Sequence, residues 1–129
     1  MELANDFKTL NGTIHFGTLD NHKMSSVVRR NFTGGDGQWH TYGLEWRRLQ
    51  GGSSQVFKWF VDGNYYGSVP SPGRPFNVQS YSILLNLAVG GNFTEWDAGR
   101  LITVADTQAM LREKPRTMKV DWVRVIGKS

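Results

Sequence analysis

The side chains of this sequence that could carry acid–base or metal chemistry are 11 carboxylates and three histidines, and there is no cysteine. Without cysteine, disulfides and thiolate metal sites are excluded. His15, His22 and His40 are not spaced like the ligands of a zinc site. Glu2 stands out among the carboxylates because a strand-like segment, TIHFG at 13–17, follows it closely. Glu2 is either a frayed chain end or the surviving part of a motif.

Composition predicts one folded domain that spans residues 1–129. Apolar residues make up 39% and charged residues 20% of the chain, and this length allows a sizeable core. The net charge of +4 is spread along the chain, which favours a solvated basic surface over a nucleic-acid interface. The apolar runs are too short for a membrane span, and no signal peptide is visible. We therefore expect neither nucleic acid nor a membrane as a partner.

Alternating apolar residues predict many short β-strands. The predicted strands are 13–17, 40–46, the hairpin 56–69, 81–91 and 118–127. The hairpin would turn at Asp62-Gly63, and 81–91 is so uniformly apolar that it predicts a strand buried on both faces. The segment 18–38 is loop-like, and 105–113 is the one plausible helical turn. Such a series of strands predicts an all-β fold, an antiparallel sandwich or barrel.

Five stretches, in this order, resemble the C-terminal half of glycoside hydrolase family 16, which includes laminarinases and other endo-β-1,3- and β-1,3-1,4-glucanases. They are GTIHFG (12–17), WHTYGLEW (39–46), KWFVDG (58–63), PFNVQSYSILLNLAVGGNF (75–93) and MKVDWVRV (118–125). The resemblance implies an antiparallel β-sandwich of the jelly-roll, concanavalin/laminarinase-like type, with a sugar-binding cleft along its concave face. Family domains are longer, so we expect a partial copy that lacks the N-terminal half.

The resemblance also implies a catalytic role for Glu2. The family signature is Glu-x-Asp-x-x-Glu, which lies on one strand shortly before the stretch that matches GTIHFG. Glu2 occupies the position of the last Glu, the acid/base, whereas the nucleophile and the Asp would both precede Met1. Retaining glycosidases need two carboxylates roughly 5 Å apart. Glu2 alone could protonate a leaving oxygen but could not supply the covalent step, and no other carboxylate of the chain pairs with it at strand spacing.

Four further residues are predicted to bind the sugar. His15 is either a half-exposed strand histidine or a hydrogen-bonding partner near the acid/base. Asn86, the one polar residue of SILLNLAVGG, is a satisfied core amide or a cleft residue, and the resemblance favours the cleft. Phe93 and Trp96 lie in the loop after that stretch and are predicted to form a sugar-stacking platform. The tryptophans of the alternating strands are predicted to be core residues: Trp46, Trp59 and Trp122.

Asp121 is either an exposed strand residue or a ligand of the structural calcium that many family members hold; we expect no other cofactor. The activity implied is that of a retaining endo-glucanase acting on β-1,3(4)-glucans. The alternative is a non-catalytic β-glucan-binding module on the same scaffold. The partner in both cases is a β-glucan polysaccharide.

The resemblance to half of a sandwich has a further consequence, because such a half exposes sheet edges and apolar faces. We expect a homodimer, or association with a complementary N-terminal half, to cover them. A secreted, extracellular location is expected from the family, and three N-glycosylation motifs, at Asn11, Asn31 and Asn92, are compatible with it.

Overall fold

The computed structural model describes residues 1–3, 8–29, 31–32, 37–49, 55–71, 81–88, 101, 103–113 and 117–127. They belong to two units, Met1–Tyr81 and Ser82–Ser129, each of which is described by itself below. No helix in the described part of the chain is long and apolar enough to cross a membrane.

The first sheet of the Met1–Tyr81 unit has three antiparallel strands in the order β1-β2-β3. They are β1 (Glu2–Leu3), β2 (Leu10–Gly17) and β3 (His22–Arg29). A tight turn joins β2 to β3, in which the backbones of Thr18 and Asn21 exchange hydrogen bonds of 3.2 and 3.4 Å. The loop prediction is therefore wrong for 22–29. The segment HKMSSVVR lacks a clean apolar alternation, and its pairing with β2 decides its conformation.

The second sheet has the order β4-β5-β6 and is also antiparallel. Its strands are β4 (Tyr42–Arg48), β5 (Gln55–Val61) and β6 (Asn64–Pro70). The predicted hairpin turn is confirmed, since Asp62 and Gly63 have φ angles of 51° and 74°. Two successive positive φ values are typical of the type I′ turn, whose twist matches that of the flanking strands. Pro70 ends an edge strand, where its missing N–H removes no ladder bond.

Two clusters of buried side chains join the sheets into a sandwich. One comprises Ile14, Phe57, Trp59 and Val69, and the other comprises Leu10, Phe32 and Val61. Tyr66 packs against both clusters, next to the point where the β5–β6 register shifts. Fully burying one such apolar side chain contributes about 1.5–3 kcal/mol. The predicted all-β, antiparallel sandwich and the core position of Trp59 are therefore confirmed.

At two glycines a side chain of one sheet lies close against the backbone of the other. A Cβ atom on Gly12 of β2 would lie 2.5 Å from the indole of Trp59 on the opposite sheet. A Cβ atom on Gly67 of β6 would lie 2.9 Å from Val27 on β3. Each sheet thus offers a glycine that receives a large side chain from the other sheet, and a larger residue at either place would push the sheets apart.

His40 and Asp62 tie the start of β4 to the β5–β6 turn. The Asp62 carboxylate lies 2.9 Å from His40 Nδ1 and accepts a 2.9 Å hydrogen bond from the backbone N–H of Thr41. The N–H of Asp62 in turn donates to the carbonyl of Thr41 at 2.8 Å. These contacts give His40 the structural role expected from the sequence.

In the second unit, the predicted helical turn is confirmed as α1 (Val104–Glu113). Thr103 caps it, because its hydroxyl accepts a hydrogen bond from the N–H of Asp106 at 3.2 Å. The Asp106 carboxylate reaches back and accepts from the N–H and the hydroxyl of Thr103 at 2.8 and 2.7 Å. This reciprocal arrangement satisfies donors at the helix start that have no intrahelical partner.

The strand predictions for 81–91 and 118–127 are wrong for the described residues, since 81–88 and 117–127 belong to no strand and their side chains are exposed. A strand exists only where its backbone groups pair with a neighbour, and an apolar pattern reports side chains, not that pairing. Trp122 is accordingly 59% exposed and not in a core. Trp46 lies on the edge strand β4 and is 39% exposed. Its indole stacks on Phe57 at 5.5 Å, meets the Tyr81 ring edge-on at 5.4 Å and donates a 2.8 Å hydrogen bond to Gln55 Oε1.

The substitution Gly12→Ala tests the contact between the sheets. The added methyl would meet the buried Trp59 ring, so we expect the free energy of unfolding to fall by about 1–3 kcal/mol. Urea denaturation measures this change. Gly127→Ala is the control, since nothing lies within 4 Å of a Cβ atom there. Equal stability of the two variants would show that the sheets are not held at this distance.

The substitution Asp62→Ala tests the tie between β4 and the turn. It removes the acceptor of the Thr41 N–H and the partner of His40, so we expect a loss of about 1–3 kcal/mol. Asp62→Asn should lose less, because asparagine tolerates the positive φ and keeps an oxygen for Thr41. A thermal melt of both variants gives the comparison, and an unchanged Asp62→Ala melt would contradict this account.

Candidate functional site

Glu2 lies on the face of the first sheet that points away from the core. Strand β1 pairs with β2 through Glu2↔Asn11 and Leu3↔Leu10. Leu3 packs against the core cluster that contains Leu10. Because successive side chains of a strand point to opposite faces, Glu2 and Asn11 share the other face. Glu2 is half-buried there, as Asn11 stands directly across from it.

The same face continues along β2 and β3, and we call it the polar face. It comprises Glu2, Asn11, Thr13, His15, His22 and Ser26, together with the apolar Met24 and Val28. Its polar side chains come from three strands that the sequence does not place side by side. The antiparallel register brings them together.

Two pairs of polar side chains on this face satisfy each other. The Ser26 hydroxyl donates to the Thr13 hydroxyl at 3.1 Å, across directly paired positions. His15 Nδ1 lies 2.9 Å from His22 Nε2, and the two rings stack with their centroids 5.1 Å apart. One of these imidazoles must donate and the other accept. His22 was not a predicted site residue, because only the register of the β2–β3 hairpin brings it beside His15.

His15 and His22 border an open depression of 510 Å³ at the turn end of the polar face, which is also lined by residues 16–19. Glu2 lies at the opposite end of the face. The four residues from Asn11 to His15 span about 13 Å at about 3.3 Å per residue. His15 therefore shares the face with Glu2 but is out of hydrogen-bonding reach of it, and its role in sugar binding stays a prediction.

Asn11 is the second residue that the sequence analysis did not select. Its side chain is 4% exposed, and its amide Nδ2 is buried with no hydrogen-bond partner. An unpaired buried donor costs about 1–3 kcal/mol, so it is uncommon in a folded protein. In the sequence Asn11 appears only as a glycosylation motif; its position opposite Glu2 required the strand register.

The surroundings of Glu2 are partly shielded from water. Burial lowers the pKa of the neighbouring Met1 amino group, and the negative charge of Glu2 opposes that change.

Two other carboxylates of the first unit, Asp62 and Glu45, have structural partners. Asp62 binds His40 and the backbone of Thr41, as described above. Glu45 lies on the outer face of the second sheet and forms ion pairs with Arg47 and, at 3.8 Å, with Lys58. Neither therefore stands beside Glu2 as a second catalytic carboxylate.

The remaining predicted site residues lie in the second unit. Asn86 is exposed and in no strand, so the prediction that it sits in a strand buried on both faces is wrong. Phe93 and Trp96 lie outside the described residues. Asp121 is exposed, and the described residues contain no group of three or more His, Cys, Asp or Glu side chains that could hold a metal ion. Since calcium needs six to eight oxygen ligands, the described residues do not by themselves form such a site.

Comparisons with known proteins show what this chain is similar to. No family model matches the chain, and no solved structure matches it significantly. The protein named "Glucan endo-1,3-beta-glucosidase A1" from Niallia circulans is 33% identical over 131 residues, which cover 91% of this chain and 17% of that protein. "Glucan endo-1,3-beta-glucosidase" from Cryptopygus antarcticus is 34% identical over 95 residues, which cover 64% of this chain and 33% of that protein.

A third relative carries a different kind of name. "Clotting factor G alpha subunit" from Tachypleus tridentatus is 33% identical over 118 residues, which cover 88% of this chain and 15% of that protein. The chain thus spans between 15% and 33% of the length of these three relatives. The resemblance to laminarinase-like glucanases is confirmed, and the chain is a β-sandwich relative of one part of the glucan endo-1,3-beta-glucosidases.

Proposed function

We propose that this chain forms part of the catalytic domain of a retaining endo-glucanase that hydrolyses β-1,3(4)-glucans, with Glu2 as the acid/base. The observation that carries the proposal is the position of Glu2. It stands half-buried on the polar face, turned away from the core, in a chain related to glucan endo-1,3-beta-glucosidases.

In the proposed reaction Glu2 acts twice. As a carboxylic acid it gives its proton to the glycosidic oxygen while a second carboxylate attacks the anomeric carbon, so the leaving sugar departs with that proton and a glycosyl ester forms. As a carboxylate it then takes a proton from water, which attacks the same carbon and releases the nucleophile. The nucleophile must stand roughly 5 Å from Glu2. In the family signature the nucleophile is five positions before the acid/base on the same strand.

The rest of the polar face suits a polysaccharide. Its hydroxyl, amide and imidazole groups can hydrogen-bond the hydroxyls at the edge of a pyranose, as sugar sites require. His15 is proposed to bind a sugar some distance along the face from Glu2. Asn86, Phe93 and Trp96 are likewise proposed to bind sugar, and Asp121 is proposed as a calcium ligand only if further oxygens join it.

The second candidate is a non-catalytic β-glucan-binding module. It is favoured by the similarity to a protein named as a clotting factor subunit, a name that states no glucanase activity. The same polar face would then hold the glucan without cleaving it.

The expected association with a second copy or with an N-terminal half stays a prediction, and so does the extracellular location. In the first unit, the exposed apolar surface that a second copy or an N-terminal half would cover is on β4. Tyr42, Leu44 and Trp46 share the face that contains Trp59 but are 45%, 52% and 39% exposed. The relationship to a protein named as a clotting factor subunit supports an extracellular location. The motif at Asn11 does not add to that support, because Asn11 is buried.

The proposal is tested by adding an external nucleophile, azide, to the chain. The chain is incubated with an aryl β-laminaribioside, with and without azide, and aryl release is measured beside binding of laminarin and mixed-linkage β-glucan. Azide can attack the anomeric carbon from the vacant side while the aryl group leaves, so we expect azide to restore turnover and to yield an α-glycosyl azide. Glu2→Gln should slow the reaction by about 100-fold when the leaving group needs protonation.

Glu45→Gln is the matched control for this test, since the same change on the outer face of the second sheet should leave turnover unaltered. Turnover that survives Glu2→Gln would contradict the role of Glu2. Binding of β-glucan without any turnover would support the binding module, and failure to bind either glucan would overturn both candidates.

A further inference from the structure

The amide of Asn11 is the one buried polar group on the polar face that lacks a hydrogen-bond partner in the described structure. Polar side chains further along β2 and β3 do have hydrogen-bond partners. Thr13 pairs with Ser26, and His15 pairs with His22. Two pairs of side chains along this face therefore satisfy each other, whereas Asn11 Nδ2 is a buried donor for which the chain supplies no acceptor.

The position of Asn11 decides which group that is. It stands directly across from Glu2, and side chains at paired positions lie about 4.5–5.5 Å apart at Cβ. A ligand held at Glu2 is therefore within reach of Asn11. A second buried donor without a partner, Trp59 Nε1, belongs to a residue of the core between the sheets and is not on this face.

The chemistry of the Asn11 donor limits which classes of ligand could bind it. An N–H needs an oxygen or nitrogen acceptor, so an apolar ligand would leave Asn11 unpaired and a cation would offer it nothing. A sugar hydroxyl beside the scissile bond has the required lone pairs. We propose that Asn11 is a substrate-binding residue whose amide donates a hydrogen bond to a hydroxyl oxygen of the glucosyl unit held at Glu2. This proposal rests on the proposed function.

This role predicts that binding and stability respond in opposite ways to loss of the amide. A side chain that bonds only the ligand contributes affinity in the complex and nothing to the fold of the free protein. Removing its amide should weaken glucan binding while the urea midpoint of the free protein stays the same or rises. A structural asparagine would show the reverse, since its loss would lower the midpoint.

The test compares Asn11→Ala and Asn11→Val, which bracket the volume of asparagine, with the unaltered chain. Isothermal titration with laminarihexaose and with a mixed-linkage oligosaccharide measures affinity, and urea denaturation without ligand measures stability. We expect both variants to bind about 3- to 10-fold more weakly, and at least one of them to keep the original midpoint. Asn64→Ala is the matched control, because Asn64 is exposed at the start of β6 and should leave affinity unchanged.

Three results would overturn the proposal. If both Asn11 variants bind as tightly as the unaltered chain, Asn11 does not contact the sugar, although the proposed function survives. If both variants unfold at clearly lower urea, Asn11 is a structural residue. If the unaltered chain binds neither oligosaccharide, the proposed function fails and takes this contact with it.

Discussion

The close contact between two glycines and two large side chains governs the first unit. Trp59 of the second sheet packs onto Gly12 of the first, and Val27 of the first packs onto Gly67 of the second. Each contact requires the absence of a Cβ atom, so together they bring the sheets near enough to bury the side chains between them. Once the inner face of β2 is determined in this way, the outer face follows, because strand side chains alternate without exception along a regular strand.

That alternation is what places the candidate site. Leu10 enters the core, so Asn11 must leave it, and pairing of β1 with β2 then carries Leu3 inward and Glu2 outward. A shift of one residue in this register would bury the carboxylate and expose the leucines, at a large cost in free energy. The burial of apolar side chains on one face therefore holds Glu2 and Asn11 opposite each other on the other face.

The second unit shows where sequence patterns stop being sufficient. Segments 81–88 and 118–126 have more apolar side chains than most strands of the first unit, yet they form no sheet in the structure. Strand β3 has a weaker pattern but pairs along its whole length with β2. The difference lies in the hydrogen-bonding partners of the backbone. A tight turn places β3 beside β2, whereas no local signal in the other two segments places them beside a strand. Helix α1 was predictable because its hydrogen bonds and its Thr103 cap are all local.

The sequence by itself determined the all-β class, the hairpin turn at Asp62-Gly63, the helix, and the relation to β-glucanases that selects Glu2. These depend on local conformational preferences and on short motifs. Only the tertiary structure decided that Glu2 faces Asn11 and that Trp46 and Trp122 stay exposed. It also decided that His15 pairs with His22, at a place about 13 Å along β2 from Asn11. Each of those outcomes depends on which strands become neighbours, and neighbours in a sheet are chosen by the packing of residues far apart in the chain.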